Sequence, residues 1–218
     1  MSQLTFKFPF KITYYESDFY VSSNNFEVYK LIESWPEWTD KKINIYGPKG
    51  CGKTHLANIL RKKLNSLIIK SSEIEKTNLD DINKFECLII DDYNNNIEEN
   101  FFYSFLNQIT QTNKYLVINS QIPIKKTKVK LNDLKSRVDS FIDLGIDLPT
   151  DDLLRVIITK SFSDKQIKVN IKLLEFILKN IDRSYEKVFK FIRDIDNESL
   201  KLGKPISMKL IKSLLNKK

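Results

Sequence analysis

Residues 47–54 read Gly47-Pro48-Lys49-Gly50-Cys51-Gly52-Lys53-Thr54, three spaced glycines closed by a lysine and a threonine. Glycine at 47, 50 and 52 lets the backbone coil until successive N–H groups point inward at phosphate oxygens. Lys53 then brings a point charge to the β- and γ-phosphates, and the Thr54 hydroxyl is placed to ligate Mg²⁺. The chemistry implied is binding of a nucleotide through its phosphates, with Mg²⁺. Cys51 and His55 are read as bystanders of the loop and the helix after it.

A second acidic feature follows in "FECLIIDDYNNN", where an apolar run at 88–90 ends in Asp91-Asp92. Carboxylates at the carboxyl end of a buried parallel strand lie beside a phosphate loop in an open α/β sheet. Asp91 suits the Mg²⁺ shell and Asp92 could polarise an attacking water. A helix N-cap pair is the plainer alternative. "LVINSQIP" closes another such run in Asn119-Ser120. Asn119 could touch the γ-phosphate or the water, or be an ordinary turn residue.

The elements that must position these residues show in the apolar periodicity. Strand patterns occupy residues 43–46, 66–69, 88–90, 115–118 and 141–144, and the segments between them can form helix. Residues 55–64 carry Leu56, Ile59, Leu60 and Leu64 on one side, so strand, loop and helix aim a helix N-terminus at the anion. The pattern predicts an α/β fold, a parallel five-stranded sheet with helices on both faces. After "DLPTDD" the strand signal fades, and amphipathic helices are expected over 151–162, 171–181, 185–202 and 208–215. Tyr185, Val188, Phe189, Ile192 and Ile195 are taken as the core stripe of the third. The expected division is a tail at 1–8, a nucleotide-binding domain at 9–149 and a small all-α lid at 150–218.

Composition removes several function classes. The 218 residues hold one histidine and two cysteines, too few for a histidine-centred metal cluster, a Ser-His-Asp triad or a disulfide framework. No apolar run approaches the roughly 20 residues of a membrane-spanning helix. No secretory signal pattern opens the chain, so a reducing cytoplasm is expected and no membrane partner. The net charge of +8 comes from lysines spread along the chain. Such charge steers molecules without specifying sequence, so no sequence-specific DNA binding is expected.

The ordered set of motifs resembles the AAA+ ATPases, and within them the DnaA initiator family. "DFYVSSNNFEVYKLIESWPEW" is similar to the segment before that family's first helix, with Asn25 implied at the nucleotide. "LIIDDYNNNIEENFFYSFLNQI" resembles its acidic strand end, and "LNDLKSRVDSFIDLGIDLPTDD" the segment with its arginine finger, here Arg137. Left to the residues alone, Arg137 could instead cap a helix or pair with Asp139. The opening "QLTFKF" resembles the tail of Hda-type regulators, short DnaA homologues that bind the β sliding clamp of DNA polymerase III. Gln3, Leu4, Phe6 and Phe8 fit that docking motif, although the alternation also fits an edge strand. The chain ends at "SMKLIKSLLNKK", where initiators continue into a DNA-reading domain, so a regulator is expected rather than an initiator.

The resemblance implies DnaA as partner, and is compatible with a homodimer. It implies stimulation in trans of hydrolysis of DnaA-bound ATP. Glu186 stands where the family places a nucleotide-sensing arginine, with Arg183 and Lys187 nearby, and Gln121 where an Asp is usual. Strong intrinsic hydrolysis is therefore not expected, and stable binding of ADP or ATP is. A helicase loader or transposition helper, and a DnaA-binding module without catalytic effect, are the alternative readings.

Overall fold

The structure is a computed structural model that describes residues 14–77, 82–165, 167, 169–203 and 205–215. Its described residues divide into two compact units, 14–147 and 148–215. The tail residues Gln3, Leu4, Phe6 and Phe8 lie outside the described residues.

In the first unit, helix α1 (Phe26–Glu33) precedes strand β1 (Lys42–Tyr46), helix α2 (Lys53–Lys63) and strand β2 (Ser66–Lys70). Strand β3 (Cys87–Tyr93), helix α3 (Glu99–Gln111), strand β4 (Tyr115–Ser120), helix α4 (Asn132–Asp139) and strand β5 (Ile142–Gly145) follow. All strand pairs are parallel, in the order β2-β3-β4-β1-β5. Alternation along the strands divides the core. Leu88, Ile90, Leu116 and Ile118 pack with Phe102, Phe105, Leu106 and Ile109 of α3 and with Leu134 and Val138 of α4. The intervening Ile89 and Val117, with Ile43 and Ile45, are buried on the opposite face. There α1 and α2 supply the buried residues Val28, Ile32, Leu56, Ile59 and Leu60. Helices thus cover both faces of a five-stranded parallel sheet, as the periodicity predicts.

Two boundaries differ from expectation. Helix α2 begins at Lys53, inside the glycine motif, so the lysine and threonine belong to its first turn. Strand β3 does not stop at Asp91-Asp92 but runs to Tyr93 across a register shift between Ile90 and Tyr93. Asp92 occupies that bulge with φ 57°, a left-handed conformation that Asp tolerates better than most residues.

The second unit is all helical: α5 (Asp151–Asp164), α6 (Ile171–Asn180), α7 (Tyr185–Leu202) and α8 (Met208–Leu215). Thr150 and Asn170 cap α5 and α6 by accepting from Leu153 N at 3.3 Å and Leu173 N at 2.9 Å. Gly203, with φ 58°, ends α7 in the left-handed turn that a glycine allows. Leu154, Ile158, Ile177, Val188, Ile192, Ile195 and Ile211 form its core. One stripe assignment is corrected. Phe189 is 41% exposed, while Phe191 is buried. At about 100° per residue, Phe189 falls at the margin of an arc centred on Val188, whereas Phe191 lies within it. Among the described residues, no helix is long and apolar enough to cross a membrane.

Candidate nucleotide-binding site

The glycine motif leaves the carboxyl end of β1 and turns directly into α2. Gly50 and Gly52 adopt φ 85° and 105°, open to glycine and costly for other residues. At Gly47 it is space that matters: a Cβ would meet the Ile146 carbonyl oxygen at 2.6 Å. Cys51 N donates to Pro48 O at 3.2 Å, closing the loop on itself. The first N–H groups of α2, at the end of the glycine loop, have no partner within the helix, as at helix N-termini that receive anions.

Lys53 is buried with its Nζ donating to Gly47 O at 2.7 Å and Pro48 O at 3.2 Å. Its charge is therefore held inside the loop by carbonyl oxygens, which are neutral and exchangeable for phosphate oxygens. Cys51 Sγ lies 3.7 Å from the same Nζ, and burial raises its thiol pKa despite the lysine.

Asp91 organises the acidic side. Thr54 Oγ1 donates to Asp91 Oδ2 at 2.8 Å, and Asn119 Nδ2 donates to Asp91 Oδ1 at 2.9 Å. The sheet order makes this possible. Strand β4 lies between β1 and β3, and Ile118 pairs with Ile90 while Asn119 pairs with Ile45. Asn119 is fully buried and its Oδ1 has no hydrogen-bond partner, an acceptor set beside the acid. Thr54, Asp91 and the loop fit an Mg²⁺–phosphate group, with one hydroxyl, one carboxylate and room for phosphate oxygens to complete the shell. Among the described residues no cluster of His, Cys, Asp or Glu could hold a metal alone, and a phosphate-completed magnesium shell needs none. Asp92 is exposed, at the bulge that follows Asp91.

Asn25 is buried at the N-cap of α1. Its Nδ2 donates to Tyr20 O at 3.0 Å and its Oδ1 accepts from Ser22 N at 2.9 Å, so its amide closes the loop over 20–25. Gln121 is exposed. In the helical unit Glu186 is exposed in the first turn of α7, and Arg183 donates to both Asp151 oxygens, at 2.8 and 3.0 Å.

Arg137 lies elsewhere. It is half-buried in the last turn of α4, five residues before Ile142, whose strand partner Ile43 follows Lys42. That is the strand-start end of the sheet, opposite the phosphate loop. From Lys42 to Tyr46 the strand alone spans about 13 Å at roughly 3.3 Å per residue. Among the described residues no carboxylate pairs with Arg137, Asp139 included.

Sequence reasoning passed over three residues here. Phe19 lies over the loop, its ring 2.9 Å from where a Gly52 Cβ would stand. His55 anchors the segment carrying it: its Nε2 is 2.7 Å from Tyr15 O, and its ring meets Tyr14 and Phe19 edge-on at 5.4 and 5.5 Å. Asn44, fully buried in β1, donates to Ile118 O and Ser120 Oγ, each at 2.8 Å, and accepts from Ile124 N at 2.8 Å. It pins the end of β4 that carries Asn119. A polar residue amid the apolar run of β1 was the available signal.

Comparison with known proteins places the fold. A family model described as RNA helicase matches residues 43–132, less than half of the chain. Domain III of the Thermotoga maritima replication initiation protein DnaA superimposes with a TM-score of 0.75 at 20% identity, over 96% of this chain and 98% of that one. AMPPCP-bound DnaA from Aquifex aeolicus gives 0.64 at 17% identity, over 84% of this chain and 64% of that one. The Thermotoga maritima RuvB Holliday junction branch migration motor gives 0.60 at 18%, over 81% and 61%. The chain thus spans less than two thirds of those last two proteins. The likeness is one of fold, a five-stranded parallel sheet with helices on both faces followed by a helical unit.

Proposed function

We propose that this protein is an Hda-like regulator of replication initiation. In this reading it binds ADP or ATP with Mg²⁺ and docks on the β sliding clamp through Gln3, Leu4, Phe6 and Phe8. It then promotes hydrolysis of ATP bound to DnaA, limiting re-initiation. The observation that carries the reading is the separation of its two cationic features. Lys53 serves the chain's own phosphate loop, while Arg137 stands unpaired by any described carboxylate at the opposite end of the sheet. An arginine there cannot serve its own nucleotide and suits one held by a neighbour.

Thr54 and Asp91 are the residues that would hold Mg²⁺, which would supply charge neutralisation to the phosphates. Asn119 holds Asp91 in its orientation, and Asp92, exposed at the bulge, would polarise an attacking water. Asn25 contributes by fixing the backbone of 20–25. Glu186 and Gln121, standing where the family has an arginine and an aspartate, favour weak intrinsic hydrolysis, and the main effect falls on DnaA. Arg137 supplied in trans would stabilise charge developing on the transferred phosphoryl group.

The test is turnover of DnaA-bound ATP with clamp loaded on DNA, with and without this protein. Faster turnover supports the reading, and unchanged turnover overturns it. The family model's description favours a second reading, an ATPase acting on nucleic acid. Strong hydrolysis stimulated by single-stranded nucleic acid, without clamp binding, would support that one.

A further inference from the structure

Lys42 and Arg137 are neighbours at the strand-start end of the sheet, where the first residue of β1 meets the last turn of α4. Both are half-buried, and among the described residues neither has a carboxylate partner. Of the acids nearby in sequence, Asp40 accepts from Thr39 Oγ1 at 2.8 Å, and Asp133 and Asp139 are exposed on α4. Two cations held together without a counterion repel each other, and a shared anion reverses the sign of that interaction. Burial, and then the charge of Arg137, lowers the Lys42 pKa, in keeping with an uncompensated pair.

We propose that Lys42 and Arg137 act together as a two-cation clamp on the terminal phosphates of a nucleotide held by a partner subunit, Lys42 being the second cation. This rests on the in-trans reading of Arg137. The same end of the sheet carries Trp35 and Tyr115, half-buried and edge-to-face at 4.8 Å, with Lys41 Nζ 5.0 Å from the Tyr115 ring centre. Tryptophan, tyrosine and arginine are the residues enriched where proteins meet, which favours a protein-held nucleotide over free nucleic acid. In the step served, water adds to the γ-phosphorus as the bond to the β,γ-bridging oxygen breaks. ADP, inorganic phosphate and a proton leave, and both cations are unchanged. A guanidinium can hold two oxygens in its fork while the ammonium adds a point charge, so the two are complementary.

The experiment follows hydrolysis of DnaA-bound ATP against concentration of the full chain, with clamp on DNA, for the wild type, Lys42→Met, Lys42→Gln, Lys42→Arg and Arg137→Ala. Melting temperature with and without ADP checks each variant's fold. Lys42→Met and Lys42→Gln should lower the maximal stimulated rate about a hundredfold, with the half-saturating concentration little changed. Lys42→Arg should restore most of it. Wild-type stimulation by Lys42→Met or Lys42→Gln, with Arg137→Ala defective, overturns the clamp and leaves the proposed function standing. Loss of stimulation only through a raised half-saturating concentration also overturns it, making Lys42 a docking residue. If Lys42→Met binds single-stranded DNA more weakly yet stimulates normally, the anion is nucleic acid and the clamp fails. If Arg137→Ala stimulates normally, the in-trans reading itself fails.

Discussion

Asn119 donates a hydrogen bond from Nδ2 to Asp91 Oδ1 at 2.9 Å, joining the ends of two adjacent strands beside the phosphate loop. With Thr54 on the other oxygen, the carboxylate is held from two sides. Asn119→Ala should destabilise the protein by about 1–3 kcal/mol, the cost of stripping a partner from a buried polar group. It should also reduce the Mg²⁺-dependent part of nucleotide stabilisation. Denaturant unfolding with and without Mg²⁺ measures both, and an unchanged Mg²⁺ dependence would separate Asn119 from the site.

Lys53→Ala removes the buried charge that the loop carbonyls hold. Nucleotide at a hundredfold excess over Kd stabilises a binding protein by about 2.7 kcal/mol. The variant should show little of that shift in its melting curve. Full stabilisation of the variant would mean that the loop does not bind phosphate.

Gly52→Ala tests the loop independently of charge. The residue has φ 105° and faces the Phe19 ring at 2.9 Å, so a methyl group meets both strain and a clash. Lower thermal stability and weaker nucleotide binding should appear together. Binding at wild-type strength would argue that neither the backbone conformation nor Phe19 shapes the site.

Replacing Gln3, Leu4 and Phe6 with Ala should abolish clamp binding in a pull-down or by surface plasmon resonance. Thermal stability should stay nearly unchanged. A large drop in melting temperature would identify the segment as core instead of tether.

Arg137→Ala should keep its fold and its own nucleotide yet lose most stimulation of DnaA, an effect worth about 10³–10⁵ in comparable systems. Full stimulation by this variant would leave a binding module as the better reading.

Alkaline stability follows from two buried groups. Burial pushes both the Cys87 thiol, ordinarily near 9.0, and the Tyr93 hydroxyl, ordinarily near 10.0, up to about 12. Each folded pKa exceeds its unfolded value, so the unfolded chain loses these protons first. The stability they contribute is complete below pH 9 and is lost as pH rises towards 12. Denaturant titrations across that range should show a steepening loss, and Cys87→Val should soften it.

The sequence by itself determined what depends on neighbours along the chain. The glycine motif, the five strand patterns and the helical character after residue 150 are set by local spacing and apolar period, and the structure carries them within a few residues. Strand order is a different matter, because it is decided by pairing between distant segments. Only the tertiary structure inserts β4 between β1 and β3, so only it brings Asn119 onto Asp91 and lets Asn44 brace the strand that carries it. The bulge at Asp92 is a mismatch between partner strands, which neither strand shows alone. Phe189 and Phe191 exchange roles because the width of a buried helical arc depends on what packs against it. Arg137 was visible as an arginine in a familiar segment, but its place beside Lys42, a sheet's length from the phosphate loop, is a fact of packing.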